Sequence, residues 1–256
     1  MAPQNDRWQT VKATERAFAI LETIKETDGC RLTDLADELG LAKSTVHRHL
    51  HTLQDLQWIV EEDDAYYVSL RFHEFGHYAW QRKKAYRLAR EKVQELAEET
   101  DERVQFLVEE YGRAVYVHRA LGRHAVETDP GIGSRIPLHS NSSGKVILAY
   151  LPEDRVAEII EEHGLPAMTE NTITDEAELY DAFERIRERG YAYNRSENTE
   201  GVNSVGVPVL DPDDRIIGSL SVSGPTHRLQ GEWFEEQLPR LLLGTANELE
   251  LNITHA

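Results

Sequence analysis

From Ala42 to Leu53 the chain reads Ala-Lys-Ser-Thr-Val-His-Arg-His-Leu-His-Thr-Leu, with Lys43, Arg48 and three histidines and no aspartate or glutamate. Such a strip lets phosphate approach. Ser44 and Thr45 stand where a helix would begin, so their hydroxyls and the positive end of the helix dipole suit a phosphate oxygen. His47, Arg48 and His51 have the reach for base edges, and an arginine bidentate to guanine discriminates by roughly 1–3 kcal/mol. Thr33, one helix earlier, is grouped with these contacts as the N-cap of its own helix. His47 and His51, four apart, would share a helix face and suit zinc, but no third ligand lies at a matching spacing, so no metal site is expected.

A second set of polar residues lies far along the chain. Ser221 and Ser223 are two apart in a stretch that reads as a strand, so both hydroxyls point to one face, and Ser204 comes from the neighbouring strand. Leu138–Lys145 reads as a polar loop feeding a helix that begins near Ser143, whose first N–H groups would face a small anion. It is not a nucleotide-binding P-loop, because no glycine lies five residues before Gly144 and Val146 follows Lys145 where Ser or Thr is needed. Nothing here reads as an enzyme: no G-x-S-x-G elbow is present, and His118, His124, His139, His163 and His227 are scattered, as surface and packing residues are.

The elements that position these groups follow from apolar spacing. Val11, Ala17, Phe18, Ile20, Leu21 and Ile24 predict a helix over 10–27, ended by Asp28-Gly29. Residues 32–40 predict a short helix with Thr33 as N-cap and Gly40 as its stop, and Val46, Leu50 and Leu53 mark one face of a third helix. Two short helices around a glycine-containing turn form a helix-turn-helix, whose second helix lies in the DNA major groove. Trp58–Val60 and Tyr66–Val68 flank Glu61–Ala65 as a hairpin, the wing, although its four carboxylates would repel a phosphate backbone. Residues 72 to about 100 are helical in composition, with an exposed joint at Gln81-Arg82-Lys83-Lys84.

Domain limits of 1–82 and 83–256 follow, the first closing on the start of a linker helix. In the second, Val104–Glu109 and Ala114–Arg119 read as a hairpin around Tyr111-Gly112-Arg113, with helices near 144–151, 153–163 and 175–189. Val202–Leu210 and Arg215–Ser223 form another strand pair around Asp211–Asp214, before a helix from about Gly231 to Leu251. The fold class expected is α+β: a winged helix-turn-helix, a linker helix, and a sensor-like α/β domain with a mainly antiparallel sheet.

Composition sets the solvent. With 46 Asp and Glu against 28 Lys and Arg, 256 residues carry a formal charge of −18. That excludes a globally basic nucleic-acid binder and confines any DNA contact to a local patch. The basic residues are 21 arginines and 7 lysines. Acid-rich, lysine-poor chains suit concentrated salt, where the Debye length falls to about 3 Å at 1 M, so a halophilic source is expected. Cys30 stands alone, the sequence MAPQNDRWQT carries no apolar signal stretch, and no run approaches 18 apolar residues. A soluble protein of a reducing cytoplasm is expected, without a membrane partner.

Over nearly its whole length the chain resembles IclR-family transcriptional regulators. The resemblance is carried by Leu32–Leu53, by Tyr67–Gly76, by Pro137–Lys145, by Arg189-Gly190-Tyr191-Ala192 with Glu197 and Glu200-Gly201-Val202, and by Ser221-Val222-Ser223-Gly224-Pro225. It implies a winged helix-turn-helix that dimerises, through helix one, on pseudo-palindromic double-stranded operators, as a homodimer or homotetramer. It also implies a GAF-like C-terminal domain sensing a small metabolite, often a carboxylate such as a sugar acid, 2-oxo acid or aromatic acid, with no cofactor. By similarity to the family's effector positions, Asn194, Ser204, Ser221 and Ser223 would line the pocket with Ser142 and Ser143. Family members with known ligands often carry Asp and Cys where this chain has Asn194 and Ser204, so ligand identity does not carry over. The other readings are a small-molecule enzyme or a metabolite-binding adaptor carrying an accessory helix-turn-helix.

Overall fold

A computed structural model describes residues 10–125 and 131–255; nine of the ten residues read for a signal stretch lie outside them. The chain divides between Ala79 and Trp80 into two compact units, three residues before the expected limit at 82.

In the first unit, α1 (Lys12–Glu26), α2 (Leu32–Glu38) and α3 (Lys43–Asp55) pack around Ile20, Ile24, Leu35, Val46, Leu50 and Ile59. The apolar residues recur every three or four positions, which puts them on one face of each helix and leaves the polar ones in water. Gly40, at φ +60°, turns the chain between α2 and α3. The α2 cap differs from expectation. Arg31 is the N-cap, without a side-chain bond, while Thr33 lies inside the first turn and donates to Asp34 Oδ1 at 3.1 Å. Leu32 packs against the core, and the helix starts two residues earlier than a Thr33 cap would place it.

The wing is β1 (Ile59–Glu62) paired antiparallel with β2 (Ala65–Val68). Asp63 and Asp64 both have positive φ, 49° and 63°, the two-residue turn that matches strand twist and that aspartate tolerates. Cys30 adds a bridge to Tyr66. Helix α4 (Arg71–Gln81) leaves the wing, with Trp58 seated between Phe72 and Phe75 and the Arg71 guanidinium 4.5 Å from the Trp58 ring centroid. A two-residue break at Arg82-Lys83 precedes α5 (Lys84–Thr100).

The second unit is built on six antiparallel strands in the order β5-β4-β3-β8-β7-β6. They are β3 (Arg103–Glu110), β4 (Arg113–Leu121), β5 (Arg135–Pro137), β6 (Ala192–Arg195), β7 (Val202–Leu210) and β8 (Ile216–Pro225). Helices α5 and α9 (Leu238–His255) cover one face, burying Val104, Phe106, Val205, Leu220 and Val222. On the other lie α6 (Ser142–Tyr150), α7 (Glu153–His163) and α8 (Glu176–Arg189), over Leu107, Ala114 and Ala192.

The last helix starts at Gly231 as expected, but passes through a π segment, Trp233–Gln237, before α9. Pro239 explains part of this. It lacks the N–H that would bond the Glu235 carbonyl one turn back, and the Tyr193 hydroxyl donates to that carbonyl instead, at 2.8 Å. Among the described residues no helix is long and apolar enough to cross a membrane.

Candidate functional site

Two places gather the residues singled out from the sequence. The first is the outer face of α3. Val46, Leu50 and Leu53 are buried, so the 100° step of a helix turns Ser44, Arg48 and His51 to the opposite side. Lys43, Ser44, His47, Arg48 and His51 are exposed and Thr45 is half-buried. Thr33 is exposed on α2.

Two details sharpen this face. His51 Nδ1 lies 3.2 Å from Asp55 Oδ2, so the strip without carboxylates ends one turn later with His51 tethered to the first of them. Burial lowers the pKa of His49, and the positive charges of Arg16 and Arg48 lower it further, which keeps this ring neutral at neutral pH. Arg16 of α1 therefore adds positive charge beside α3. Sequence spacing did not reveal it, because only the packing of α1 on α3 brings it there.

The second place is a cavity on the sheet face that carries α6, about 360 Å³ of empty space including its open mouth. Its floor is a row across four strands. Arg103 pairs with Ser223, Ser223 with Ser204, and Ser204 with Asn194, so all four side chains stand on one face. In the next row Gln105 pairs with Ser221, and Ser221 with Gly206. A Cβ at Gly206 would lie 2.9 Å from the Ser142 carbonyl carbon and the Ser143 nitrogen. Glycine is what lets the start of α6 rest on the sheet and close the cavity's end.

Hydrogen bonds within the row fix which groups face a ligand. Ser223 Oγ accepts from Arg103 Nε at 2.9 Å and from Gln105 Nε2 at 2.5 Å, which leaves its own proton to donate. Ser221 donates to Gln105 Oε1 at 3.0 Å, and Ser142 and Ser204 share a bond of 2.7 Å. Asn194 Oδ1 accepts the Glu197 N–H at 2.7 Å, so its amide hydrogens are the part left for a ligand. Among the described residues the lining holds one cation, Arg103, and no carboxylate. The site is rich in donors and matched to an acceptor-rich anion.

Five of the six residues expected to line the pocket do so: Ser142, Asn194, Ser204, Ser221 and Ser223. Ser143 does not. It is 1% exposed, and its hydroxyl has no partner among the described residues. Adjacent helical residues point about 100° apart, so with Ser142 aimed at Ser204 the next side chain turns into the packing. The anion cradle at the helix start is partly occupied by the protein itself, because Asn141 Oδ1 accepts the Gly144 N–H at 2.8 Å. Arg103, Gln105, Tyr116, Asn198 and Thr199 also line the cavity and were not singled out beforehand. The buried His118 and His139 bond backbone carbonyls, of Tyr86 at 2.6 Å and Pro166 at 3.0 Å.

A helix-turn-helix unit followed by an antiparallel sheet bearing a polar cavity has the layout of a ligand-sensing transcriptional regulator. The family described as "IclR helix-turn-helix domain" matches residues 13–63, and "Bacterial transcriptional regulator IclR C-terminal" matches 77–250. The probable HTH-type transcriptional regulator ArcR of Halobacterium salinarum is 30% identical, covering 100% of this chain and 98% of its own. The crystal structure of the Thermotoga maritima IclR superposes with a TM-score of 0.81 at 26% identity, over 95% of this chain and 99% of that one. The inducer-binding domain of the Acinetobacter PobR transcription factor, a double mutant in complex with 3-hydroxybenzoic acid, is 31% identical with a TM-score of 0.59, over 64% of this chain and 96% of that one. The chain belongs to the IclR family: it is a helix-turn-helix transcriptional regulator with an IclR-type C-terminal domain.

Proposed function

We propose that a dimer of this regulator reads a pseudo-palindromic operator through two copies of α3, and that a small carboxylate in the C-terminal cavity modulates that binding. The observation that carries the ligand class is the row of Arg103, Ser223 and Asn194, in which the Ser223 and Asn194 oxygens already accept bonds within the protein, with no carboxylate among the described lining residues. The related PobR domain in complex with 3-hydroxybenzoic acid supports an acid of that size; 2-oxo acids and sugar acids carry the same anionic group. Dimerisation is supported by apolar surface in the first unit. Val11 and Phe18 of the α1 region are 65% and 57% exposed, and α4 buries none of its own residues while exposing Phe75 and Tyr78.

In this reading Arg48 takes base edges, His47 and His51 flank it, and Lys43, Ser44 and Thr45 contact phosphate. Thr33 and Arg16 extend the contact to neighbouring helices. Arg48→Ala should weaken operator binding by about 1–3 kcal/mol, roughly 5- to 150-fold, with the fold intact by circular dichroism. Anisotropy of a labelled operator duplex measures it. Unchanged affinity would remove α3 from the interface.

The −18 charge is read as adaptation to concentrated salt, an inference that the Halobacterium relative supports. Screening of carboxylate repulsion should raise the melting temperature as KCl goes from about 0.1 M to about 2 M. A melting temperature indifferent to KCl would refute this reading.

A further inference from the structure

Strand β6 is an edge of the six-stranded sheet, and along it, beneath α8, runs a groove of about 530 Å³ of empty space including its open mouth. Among the described residues it is lined by Lys145, Arg185, Arg189 and Arg195 and by one carboxylate, Glu197. Lys145 and Glu197 are ion-paired with each other, so the three arginines carry the excess positive charge. In a chain of net charge −18 this is a local inversion of charge.

The three arginines are exposed, and two of them, Arg189 and Arg195, are held in place. Arg189 lies over Tyr191 and Tyr193, 4.8 Å from each ring centroid, and donates to the Tyr191 carbonyl at 2.6 Å. Arg195 makes a two-bond contact with Glu235 at 2.8 and 2.9 Å. Arg185 stands one turn before Arg189 on α8, and like charges at that spacing disfavour the helix by a few tenths of a kcal/mol. Burial is the main cause that lowers the pKa of Arg189; Tyr191 and Tyr193 oppose it, and Arg185 and Arg195 add smaller lowering contributions. A multivalent anion would relieve this repulsion. Planar guanidinium forks match phosphate oxygens two at a time. Ile173, Ile186 and Ala192 supply an apolar floor for the body of the ligand.

We propose that this groove is a second ligand site, separate from the serine-lined cavity, and that it binds small phosphorylated molecules. It shares one segment with that cavity. Arg195 and Glu197 line the groove, while Asn194, Asn198 and Thr199 line the cavity, so the segment 194–199 borders both.

Calorimetric titration of the full-length protein with inorganic pyrophosphate, at constant ionic strength, tests the proposal. Saturable binding of one pyrophosphate per chain with a Kd below about 1 mM is expected. It should weaken at least tenfold in Arg185→Gln/Arg189→Gln and stay unchanged in Ser221→Ala/Ser223→Ala, with all three proteins folded by circular dichroism at the titration temperature. Three outcomes would overturn the proposal: no saturable heat, binding indifferent to the glutamine pair, or loss of duplex DNA binding alone in that variant, which would assign the groove to nucleic acid.

Discussion

Lys145→Met should lower the unfolding free energy by about 3–5 kcal/mol, the usual consequence of leaving a buried charge without its partner. Lys145 is 4% exposed and Glu197 7%, and the two are ion-paired. Burial lowers the pKa of Lys145, and the Glu197 carboxylate opposes that shift. The carboxylate has further duties. It accepts the Arg195 N–H at 3.2 Å, while the Glu197 backbone accepts from Thr172 Oγ1 at 2.6 Å and donates to Asn194. With methionine at 145 the carboxylate would stay buried against a thioether and pull this loop toward water. Lys145→Met/Glu197→Gln should recover most of the loss, since no uncompensated charge is then buried. Urea unfolding followed by circular dichroism measures both. A single variant within about 1 kcal/mol of wild type, the range of a surface pair, would show the pair to be solvated.

The second large effect is expected at Arg103. Among the described lining residues it is the only cation in the cavity, and hydrogen bonds to charged groups contribute about 1.5–3 kcal/mol each. Arg103→Gln should therefore weaken the binding of a small carboxylate roughly 10- to 150-fold, measured by calorimetry with an acid that the wild-type protein binds. It should leave an uncharged analogue of the same shape almost unaffected. Equal losses for acid and analogue would mean that Arg103 shapes the cavity and does not meet the charge.

Arg103 is not legible as a cavity residue from the sequence alone. In a chain with 21 arginines one more carries no signal by itself. The pattern did hold a hint: Arg103 and Gln105 alternate with Val104, Phe106 and Val108, so polar residues in a buried strand point to one face. What the sequence lacked was the register that sets Arg103 beside Ser223. The serines were legible because Ser221 and Ser223 share a face whatever the partner strand. Ser143 was misplaced because the start of α6 one residue earlier rotates it away from the cavity.

Elements were legible where local rules dominate. The apolar spacing of α1 and α3, the glycine at φ +60° between α2 and α3, and the turn at Tyr111-Gly112, with φ of 52° and 71°, are all short-range features. Strands β5 and β6, three and four residues long, have too little pattern to declare themselves and exist because β4 and β7 pair with them. The π segment before α9 could be anticipated only as a disturbance near Pro239, since its form depends on the Tyr193 hydroxyl.

Regulation of this kind requires coupling between the cavity and the operator. Anisotropy titrations of a labelled operator duplex, with and without a saturating acid, measure it directly. A coupling free energy of about 1–3 kcal/mol predicts a 5- to 150-fold change in operator Kd. That change should vanish in Ser221→Ala/Ser223→Ala, whose operator affinity without acid should equal that of the wild type. An acid that binds the wild-type protein tightly yet leaves the operator Kd unchanged would contradict the account.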